Sequence, residues 1–393
     1  VLLASRLTGL SPNLASRFTP GTLISSYEVF EALRRGIAVP LRKRDPERLR
    51  AIQELKDRDK GGQIFQPDPG AYEEVHELDF TSLYPSIIVK YNLSPETLKE
   101  PDKTGFLSSV LAPLLTLRIE TKRRKKVDPE YAGMDAVLKW MLVTCFGYTG
   151  YRNAKFGQIE VHEHITYISR DLLMKVKEIA ENLNFQVLHG IVDCLWVKGE
   201  PISSFKEAVE KETGILTEVD SYDWIVFLPL ADGLGAYNRY YGRLSNGKMK
   251  VRGVMARRRD APPYVRRMQE ELFQVLSRAC CLGELHRMEP ELDGIHKKYF
   301  EGLAEADAGE MVIRRRLSRL NYSRRCPEAS AVQAHRRCGF SPVPGMEIGY
   351  VVRDASQWTV DAEWNALQFD HKYYEKLLEK AWSEISIVLG KIN

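Results

Sequence analysis

The chain has 393 residues, of which 44% are hydrophobic and 28% charged, a composition typical of globular proteins with more than one domain. It contains no run of about 18 apolar residues, so the sequence predicts neither a membrane span nor a signal peptide. Six cysteines without a CxxC pair argue against a disulfide framework and a structural zinc site, and the net charge of +4 is too small to indicate a nucleic-acid partner by itself.

The predicted elements suggest a mixed body of sheet and helix, followed by a mainly helical and basic C-terminal part. Alternating apolar residues predict a strand over 72–80, and helical periodicity predicts helices over 110–126, 135–146 and 162–183. Residues 185–197 are predicted to form two short strands about a turn at Gly190. Helical patterns then dominate 264–300 and 371–389.

Basic residues are concentrated in three segments. Residues 236–267 hold ten Lys or Arg against one acid, and residues 118–126 hold six against one. The third segment runs from Arg314 to Arg325. Clustered cations release counterions when they meet phosphates, so these segments predict contacts to a nucleic-acid backbone. The alternative for each segment is a solvated helix face or loop.

Two aspartates are candidates for a metal site. Asp79 stands at the exit of the predicted strand 72–80, and Asp193 stands just past a tight turn between two apolar strands. Either one alone would ordinarily stabilise a turn. If the sheet brings them together, they form the oxygen-rich site that Mg²⁺ prefers.

Three cations lie on the predicted helices between these aspartates. Arg118 and Lys122 are four residues apart and share one helix face, and Lys139 lies on the next helix. Positioned cations are what phosphoryl transfer from a triphosphate requires. The alternative is ordinary surface charge.

Six sequence segments together resemble the family B DNA polymerases, especially those of archaea. GGQIFQPDPGAYEEVHELDFTSLYPSII (61–88) is similar to the first palm motif, and GFLSSVLAPLLTLR and KWMLVTCFGYTGY are similar to the fingers helices. VLHGIVDCLWV (187–197) is similar to the third motif. RYYGR and KMKVRGVMARRRD are similar to the segments that hold primer-template DNA.

The resemblance implies an α+β fold of the right-hand polymerase type, with an antiparallel-sheet palm, helical fingers and a mainly helical thumb. The implied boundaries are a linker before the palm (1–60), the palm (61–104 and 151–235), the fingers (105–150) and the thumb (236–393).

The resemblance also implies roles for individual residues. Asp79 and Asp193 would be catalytic and would bind two Mg²⁺ ions, or Mn²⁺ in their place, together with the backbone carbonyl of Phe80. The implied nucleotide-binding residues are Phe80, Ser82, Leu83, Tyr84, Arg118, Lys122 and Lys139, with Tyr84 as a gate against the ribose 2′-hydroxyl. The implied DNA-binding residues are Arg239, Tyr240, Arg252, Arg258 and Arg259.

The sequence departs from the family pattern at positions near the chemistry. Ile191 stands where the third motif normally carries its first aspartate, Val143-Thr144 replaces an Asn-Ser pair, and Phe146 replaces a tyrosine. These changes remove polar groups near the incoming base, so we expect relaxed nucleotide selection. They resemble the divergent second paralogue of the archaeal enzymes.

The resulting prediction is a template-directed DNA polymerase that extends a primer 3′-hydroxyl by two-metal phosphoryl transfer, with low activity or synthesis past lesions in replication and repair. The alternative is a catalytically impaired paralogue that binds DNA or acts in assembly; a different nucleotidyl transfer is the third option. No paired acidic exonuclease motifs precede residue 61, so proofreading is expected from a separate exonuclease or accessory subunit, or from a region removed from this chain. The expected partners are primer-template DNA and deoxynucleoside triphosphates, and the expected location is the cytoplasm, with the nucleoid.

Overall fold

The computed structural model of the protein describes residues 1–41, 51–58 and 60–390. The chain divides into two compact units, each with its own hydrophobic core. The first unit comprises Val1–Phe65 and Glu77–Val219. The second comprises Gln66–His76 and the chain from Asp220 to the C-terminal end of the described residues.

The first unit begins with helices: α1 Leu2–Thr8, α2 Pro12–Arg17 and α3 Pro20–Arg34, followed by α4 Ile52–Arg58. Side chains of Ser11 and Thr19 cap α2 and α3 by accepting hydrogen bonds from backbone N–H groups of the first turn. Ile24 and Tyr27 of α3 are buried, and the Tyr27 hydroxyl donates to the backbone oxygen of Val110 at 2.8 Å. The sequence predicted a linker over 1–60, whereas residues 2–34 are packed helices because α3 has an apolar face at helical spacing. Residues 42–50 and 59 of that predicted linker lie outside the described residues.

Four strands of the first unit form a sheet in the order β1-β3-β4-β2. They are β1 Ile64–Phe65, β2 Gly70–Phe80, of which the last four residues belong to this unit, β3 Gln186–Ile191 and β4 Cys194–Lys198. The turn between β3 and β4 lies at 192–193 and not at Gly190 as predicted. Gly190 pairs with Phe65 inside the sheet, where a Cβ atom would lie only 2.6 Å from the Phe65 ring, so that close approach is the reason for this glycine.

The helices of the first unit are α5 Leu83–Lys90, α6 Phe106–Lys125, α7 Ala132–Thr149, α8 Ile159–Asn182 and α9 Ile202–Thr213. The sequence predicted α6, α7 and α8 to within a few residues. Helix α7 packs against both α3 and α6, and the core residues Leu111 and Leu142 of α6 and α7 are fully buried. These contacts fix the two helices that carry the predicted triphosphate cations.

The second unit contains an antiparallel arrangement of β5 Thr217–Pro229, β6 Gly235–Leu244 and β7 Met249–Arg252. Strand β5 begins in the first unit at Thr217 and continues in the second from Asp220. The helices of the second unit are α10 Pro263–Leu276, α11 Leu282–Arg287, α12 Glu289–Gly302, α13 Pro327–Arg337 and α14 His371–Ser386.

A second, three-stranded antiparallel sheet also lies in this unit, in the order β10-β9-β8. Its strands are β8 Ile313–Arg316, β9 Glu347–Asp354 and β10 Thr359–Ala362. The sequence predicted a mainly helical C-terminal part and missed this sheet, because β8 presents three consecutive arginines without apolar alternation. The predicted α+β class is confirmed. No helix among the described residues is both long and apolar enough to cross a membrane.

Candidate active site

The two predicted carboxylates lie together at one end of the first unit's sheet. Strand β2 ends at Phe80, directly after Asp79, and Asp193 lies in the turn between β3 and β4. The Phe80 N–H donates to the backbone oxygen of Asp193 at 2.9 Å, and this hydrogen bond holds the strand end against the turn. One ligand atom each of Asp79, Asp193 and Cys194 lies within 4.8 Å of the other two. The proximity on which the predicted metal site depends is therefore present.

Cys194 lies between the two carboxylates. Its Sγ lies 3.3 Å from Oδ1 of Asp79 and 3.5 Å from Oδ1 of Asp193, so its single S–H proton is shared between the two carboxylates. Burial, and then the negative charge of the two aspartates, raises the pKa of this thiol, so it remains protonated at neutral pH. A protonated thiol is a poor ligand for Mg²⁺, which prefers oxygen, so Cys194 acts here as a hydrogen-bond donor that orients carboxylates.

The carboxylates repel one another in a partly buried setting. Burial, together with the charge of Asp193, raises the pKa of Asp79 to about 6, while the Cys194 hydrogen bond and Lys122 oppose this rise. Burial also raises the pKa of Asp193, against the lowering effects of Cys194 and Lys139. A divalent cation between the carboxylates would relieve the repulsion, so this donor set fits a hard metal ion.

Arg118 is buried beside the turn that follows β2. Ser82 has a left-handed backbone with φ 58° at the N-terminus of α5, and its hydroxyl oxygen accepts a hydrogen bond from Arg118. Nε of Arg118 lies 3.8 Å from Oδ1 of Asp135, whose other oxygen lies 2.9 Å from Nζ of Lys125. Burial lowers the pKa of Arg118, although the Asp135 charge opposes this effect. Asp135 therefore compensates the Arg118 charge, and the guanidinium joins α5, α6 and α7.

Lys122 carries an ion pair of its own. Its Nζ lies 2.5 Å from Oε2 of Glu218, and Nζ of Lys126 lies 3.6 Å from the other oxygen of the same carboxylate. These three side chains line a cavity of 300 Å³ that also includes Thr81. Lys139, in contrast, is exposed on α7 and close enough to lower the pKa of Asp193.

Tyr84 belongs to a stack of three rings. Its ring lies 3.9 Å from that of Phe146 at 18° between planes, and Phe146 lies 4.3 Å from His162, also at 18°. Leu83, beside it, is buried in the core. The Tyr84 ring is therefore held by Phe146, which lacks the hydroxyl expected at this position. Val143, on the same helix as Phe146, is 57% exposed.

Ile191 ends β3 and pairs with Ile64 of β1 and Cys194 of β4. Its backbone oxygen accepts the Asp193 N–H at 2.6 Å. The position thus shapes the turn that presents Asp193 but supplies no carboxylate to the site.

The predicted DNA-binding residues lie in the second unit and differ in their surroundings. Arg252 and Arg259 are exposed. Arg239 donates to Glu384 at 2.7 Å, Arg258 donates to Asp260 at 2.8 and 3.0 Å, and Tyr240 is 5% exposed. Of these five residues, Arg252 and Arg259 alone have exposed side chains. The side chains of Arg239, Tyr240 and Arg258 contribute to packing within the unit.

Sequence reasoning missed three residues of the first unit's site: Cys194, Asp135 and Glu218. Cys194 adjoins Asp193, so its neighbourhood could have indicated it. Asp135 and Glu218 lie far along the chain from their partners Arg118 and Lys122, and no local pattern marks them.

Comparisons with known proteins find relatives of one kind. The family model described as DNA polymerase family B matches residues 31–105. DNA polymerase 2 of Saccharolobus solfataricus is 37% identical over 279 residues, which cover 69% of this chain and 44% of that protein. DNA polymerase 2 of Aeropyrum pernix is 27% identical over 384 residues, covering 90% of this chain and 46% of that protein. The chain thus spans about half the length of the curated relatives it matches.

A solved structure, that of the family B DNA polymerase from the archaeon Pyrobaculum calidifontis, is similar to this chain with a TM-score of 0.67 and 24% identity. The match covers 99% of this chain and 53% of that one. This likeness establishes the fold.

Proposed function

We propose, from the premise that this chain belongs to the family B DNA polymerases of archaeal type, that it extends a primer 3′-hydroxyl with deoxynucleotides under the direction of a DNA template. The observation that carries the proposal is the pair of carboxylates, Asp79 at the end of β2 and Asp193 in the β3–β4 turn. One carboxylate oxygen of each lies within 4.8 Å of the other. A pair of this kind is what two-metal phosphoryl transfer requires.

Asp79, Asp193 and the carbonyl of Phe80 would hold two Mg²⁺ ions, or Mn²⁺ in their place. The ions supply Lewis-acid stabilisation of the attacking and leaving oxygens when they are bound. The protein's own part is to keep both carboxylates ionised and oriented. Cys194 contributes one S–H proton that the two carboxylates share, and Lys139 and Lys122 contribute positive charge.

The triphosphate would bind at the start of α5 and between the predicted cations. The first N–H groups of a helix have no partner inside the helix, and Ser82 forms no side-chain cap at α5, so Leu83 and Tyr84 can offer backbone donors to an anion. Arg118 positions this helix start through Ser82. Lys122 and Lys139 would neutralise the non-bridging oxygens.

Tyr84 would select the sugar, because its ring would occupy the space that a 2′-hydroxyl needs. Phe146 supports that ring by stacking but cannot hydrogen-bond to it. Together with Val143, this apolar surface favours relaxed base selection and therefore synthesis past lesions. Arg252 and Arg259 would contact the phosphates of primer-template DNA, with Arg239, Tyr240 and Arg258 shaping that surface.

The test is single-turnover extension of a labelled primer-template by the chain as given, by Asp79→Asn and by Asp193→Asn, with Asp102→Asn as the exposed control. We expect both site variants to lose about a thousandfold or more in rate, because several kcal/mol of metal-derived stabilisation is lost. The control should match the parent chain. Extension at the parent rate in either site variant would contradict the proposal.

A second candidate function is a catalytically impaired paralogue that binds DNA or acts in assembly. Two observations favour it. Ile191 stands in place of a carboxylate, and the two cations Arg118 and Lys122 are each paired with a carboxylate of the protein itself, Asp135 and Glu218 respectively. The same assay separates the two functions: tight binding of primer-template with no extension by any of the chains supports the impaired paralogue.

A further inference from the structure

The third basic segment of the sequence divides into two parts in the structure. Arg314 pairs with Glu363 at 2.6 Å, Arg315 pairs with Asp260 at 3.0 Å, and Arg316 donates to the backbone oxygen of Gly345 at 2.9 Å. These arginines serve the second unit's own packing. Arg324 and Arg325, which follow β8, are exposed and form no ion pair with the part of the chain that the structure describes.

Arg324 and Arg325 line a cavity of 440 Å³ with a third exposed arginine, Arg337 at the end of α13. Its other lining residues include Ser330 of α13 and Trp358, and within the described ranges no carboxylate lines it. Asp354 has a pKa lowered first by its hydrogen bond from Ser356 and last by the charge of Arg325, and its Oδ1 accepts hydrogen bonds from Ser356 and Gln357 of its own turn. The cavity therefore has a positive charge that the protein itself leaves largely uncompensated, and its volume falls in the range of ligand sites.

Trp358 on the wall of this cavity has an unusual backbone. Its φ is 49°, in the left-handed region that bulky side chains rarely adopt. It ends the turn between β9 and β10, next to a register shift at Thr359, and the centroids of its ring and the Tyr373 ring lie 6.1 Å apart with 85° between the planes. Strained backbone of this kind is found where a side chain must be presented in one position.

We propose that this cavity binds a nucleotide of single-stranded nucleic acid, with its phosphates on Arg324, Arg325 and Arg337 and its base against the ring of Trp358. Arginines that neutralise the backbone beside an aromatic ring that stacks on a base are the common design of single-strand binding sites. Such a ligand does not require sequence readout. The site lies wholly within the second unit and is separate from the carboxylate pair of the first.

The experiment measures binding of a fluorescent ten-residue oligodeoxythymidylate at several salt concentrations, with unlabelled primer-template duplex present at saturation. Each phosphate contact to a single strand contributes about 0.7 to the slope of log affinity against log salt, so R324Q/R325Q/R337Q should reduce that slope by about 2. The control R287Q/R336Q/R353Q removes the same charge from exposed arginines of the same unit that do not line the cavity. Equal slopes for the two triple variants would overturn the proposal.

Trp358→Gly tests the stacking without adding strain, because glycine adopts a left-handed backbone readily. We expect it to weaken oligonucleotide binding by about 5- to 150-fold, the effect of losing one base stack. Ultraviolet crosslinking of an oligonucleotide that carries 5-iodouracil should modify Trp358 or Tyr322, which also lines the cavity. Unchanged affinity of the glycine variant, with crosslinks only outside 322–358, would contradict the assignment.

Competition by thymidine monophosphate and by inorganic phosphate identifies the source of the nucleotide. Weak competition by both supports a single strand, whereas competition by the monophosphate at the oligonucleotide's own concentration would overturn the single strand and assign a free nucleotide. Primer extension at saturating duplex should stay within about twofold in R324Q/R325Q/R337Q, since these arginines neutralise phosphates of the single strand and none of them belongs to the carboxylate site. Loss of oligonucleotide binding with retained extension thus separates this proposal from the polymerase assignment.

Discussion

Replacing Glu218 by glutamine tests whether the ion pair at Lys122 restrains nucleotide binding. Glu218 lies 2.5 Å from Lys122 and 3.6 Å from Lys126, so its carboxylate competes with a triphosphate for both cations. The side chains of Lys122 and Glu218 are 23% and 37% exposed, and partly exposed pairs of this kind contribute about 0.2–1 kcal/mol. Releasing the lysine should therefore lower the dissociation constant of the incoming nucleotide by about 1.4- to 5-fold.

The assay is the dependence of single-turnover extension rate on deoxynucleotide concentration. Glu212→Gln is the matched control, because Glu212 forms an exposed ion pair with Lys175 in the same unit. Lys122→Gln should raise the dissociation constant, and Glu218→Gln should have a smaller effect in that background than in the parent chain, since only Lys126 then remains paired with Glu218.

The result that would refute this reasoning is a dissociation constant that Glu218→Gln leaves unchanged or raises while Glu212→Gln matches the parent chain. Glu218 would then position Lys122 for the triphosphate instead of competing with it. Raised salt should shrink the difference between the parent chain and Glu218→Gln, because the pair is partly exposed.

Three further predictions follow from buried charge. Since the pKa of Asp79 is about 6, protons should compete with Mg²⁺ for this carboxylate below that pH. The affinity for Mg²⁺, measured by metal titration, should fall about tenfold for each pH unit below 6. An affinity for Mg²⁺ that is constant from pH 5 to 8 would contradict this. Burial raises the pKa of Glu28 from its ordinary 4.5 to about 8. Its contribution to stability is therefore complete below pH 4.5 and is lost as the pH rises to 8, by up to about 5 kcal/mol. In denaturant unfolding, the free energy of unfolding of Glu28→Gln minus that of the parent chain should be larger at pH 8 than at pH 4. Arg239→Gln should lower the unfolding free energy by about 3–5 kcal/mol because it leaves the buried Glu384 carboxylate without its cation, whereas Arg252→Gln should weaken DNA binding with unchanged thermal unfolding.

The elements that the sequence predicted well depend on short-range patterns. Helices α6, α7 and α8 have apolar residues at helical spacing, and β2 alternates toward Asp79, so periodicity was enough to find them. Helix α3 has the same periodicity, yet an interpretation as a linker concealed it. Strand β8 could not be found in this way because its arginines serve ion pairs across the unit and not an apolar face.

The sequence alone was enough to place Asp79 and Asp193 in recognisable motifs. It was also enough to identify the cations of α6 and α7 as candidates for binding a triphosphate. Tertiary structure alone decided which charges remain available to a ligand. Arg118 is engaged by Asp135 and Lys122 by Glu218, whereas Lys139, Arg324 and Arg325 are exposed. Cys194 became part of the site only because β2 brings Asp79 to the neighbouring turn. A motif records residue type and spacing along the chain, but the strength of a charge depends on burial and on partners that the fold brings from distant positions.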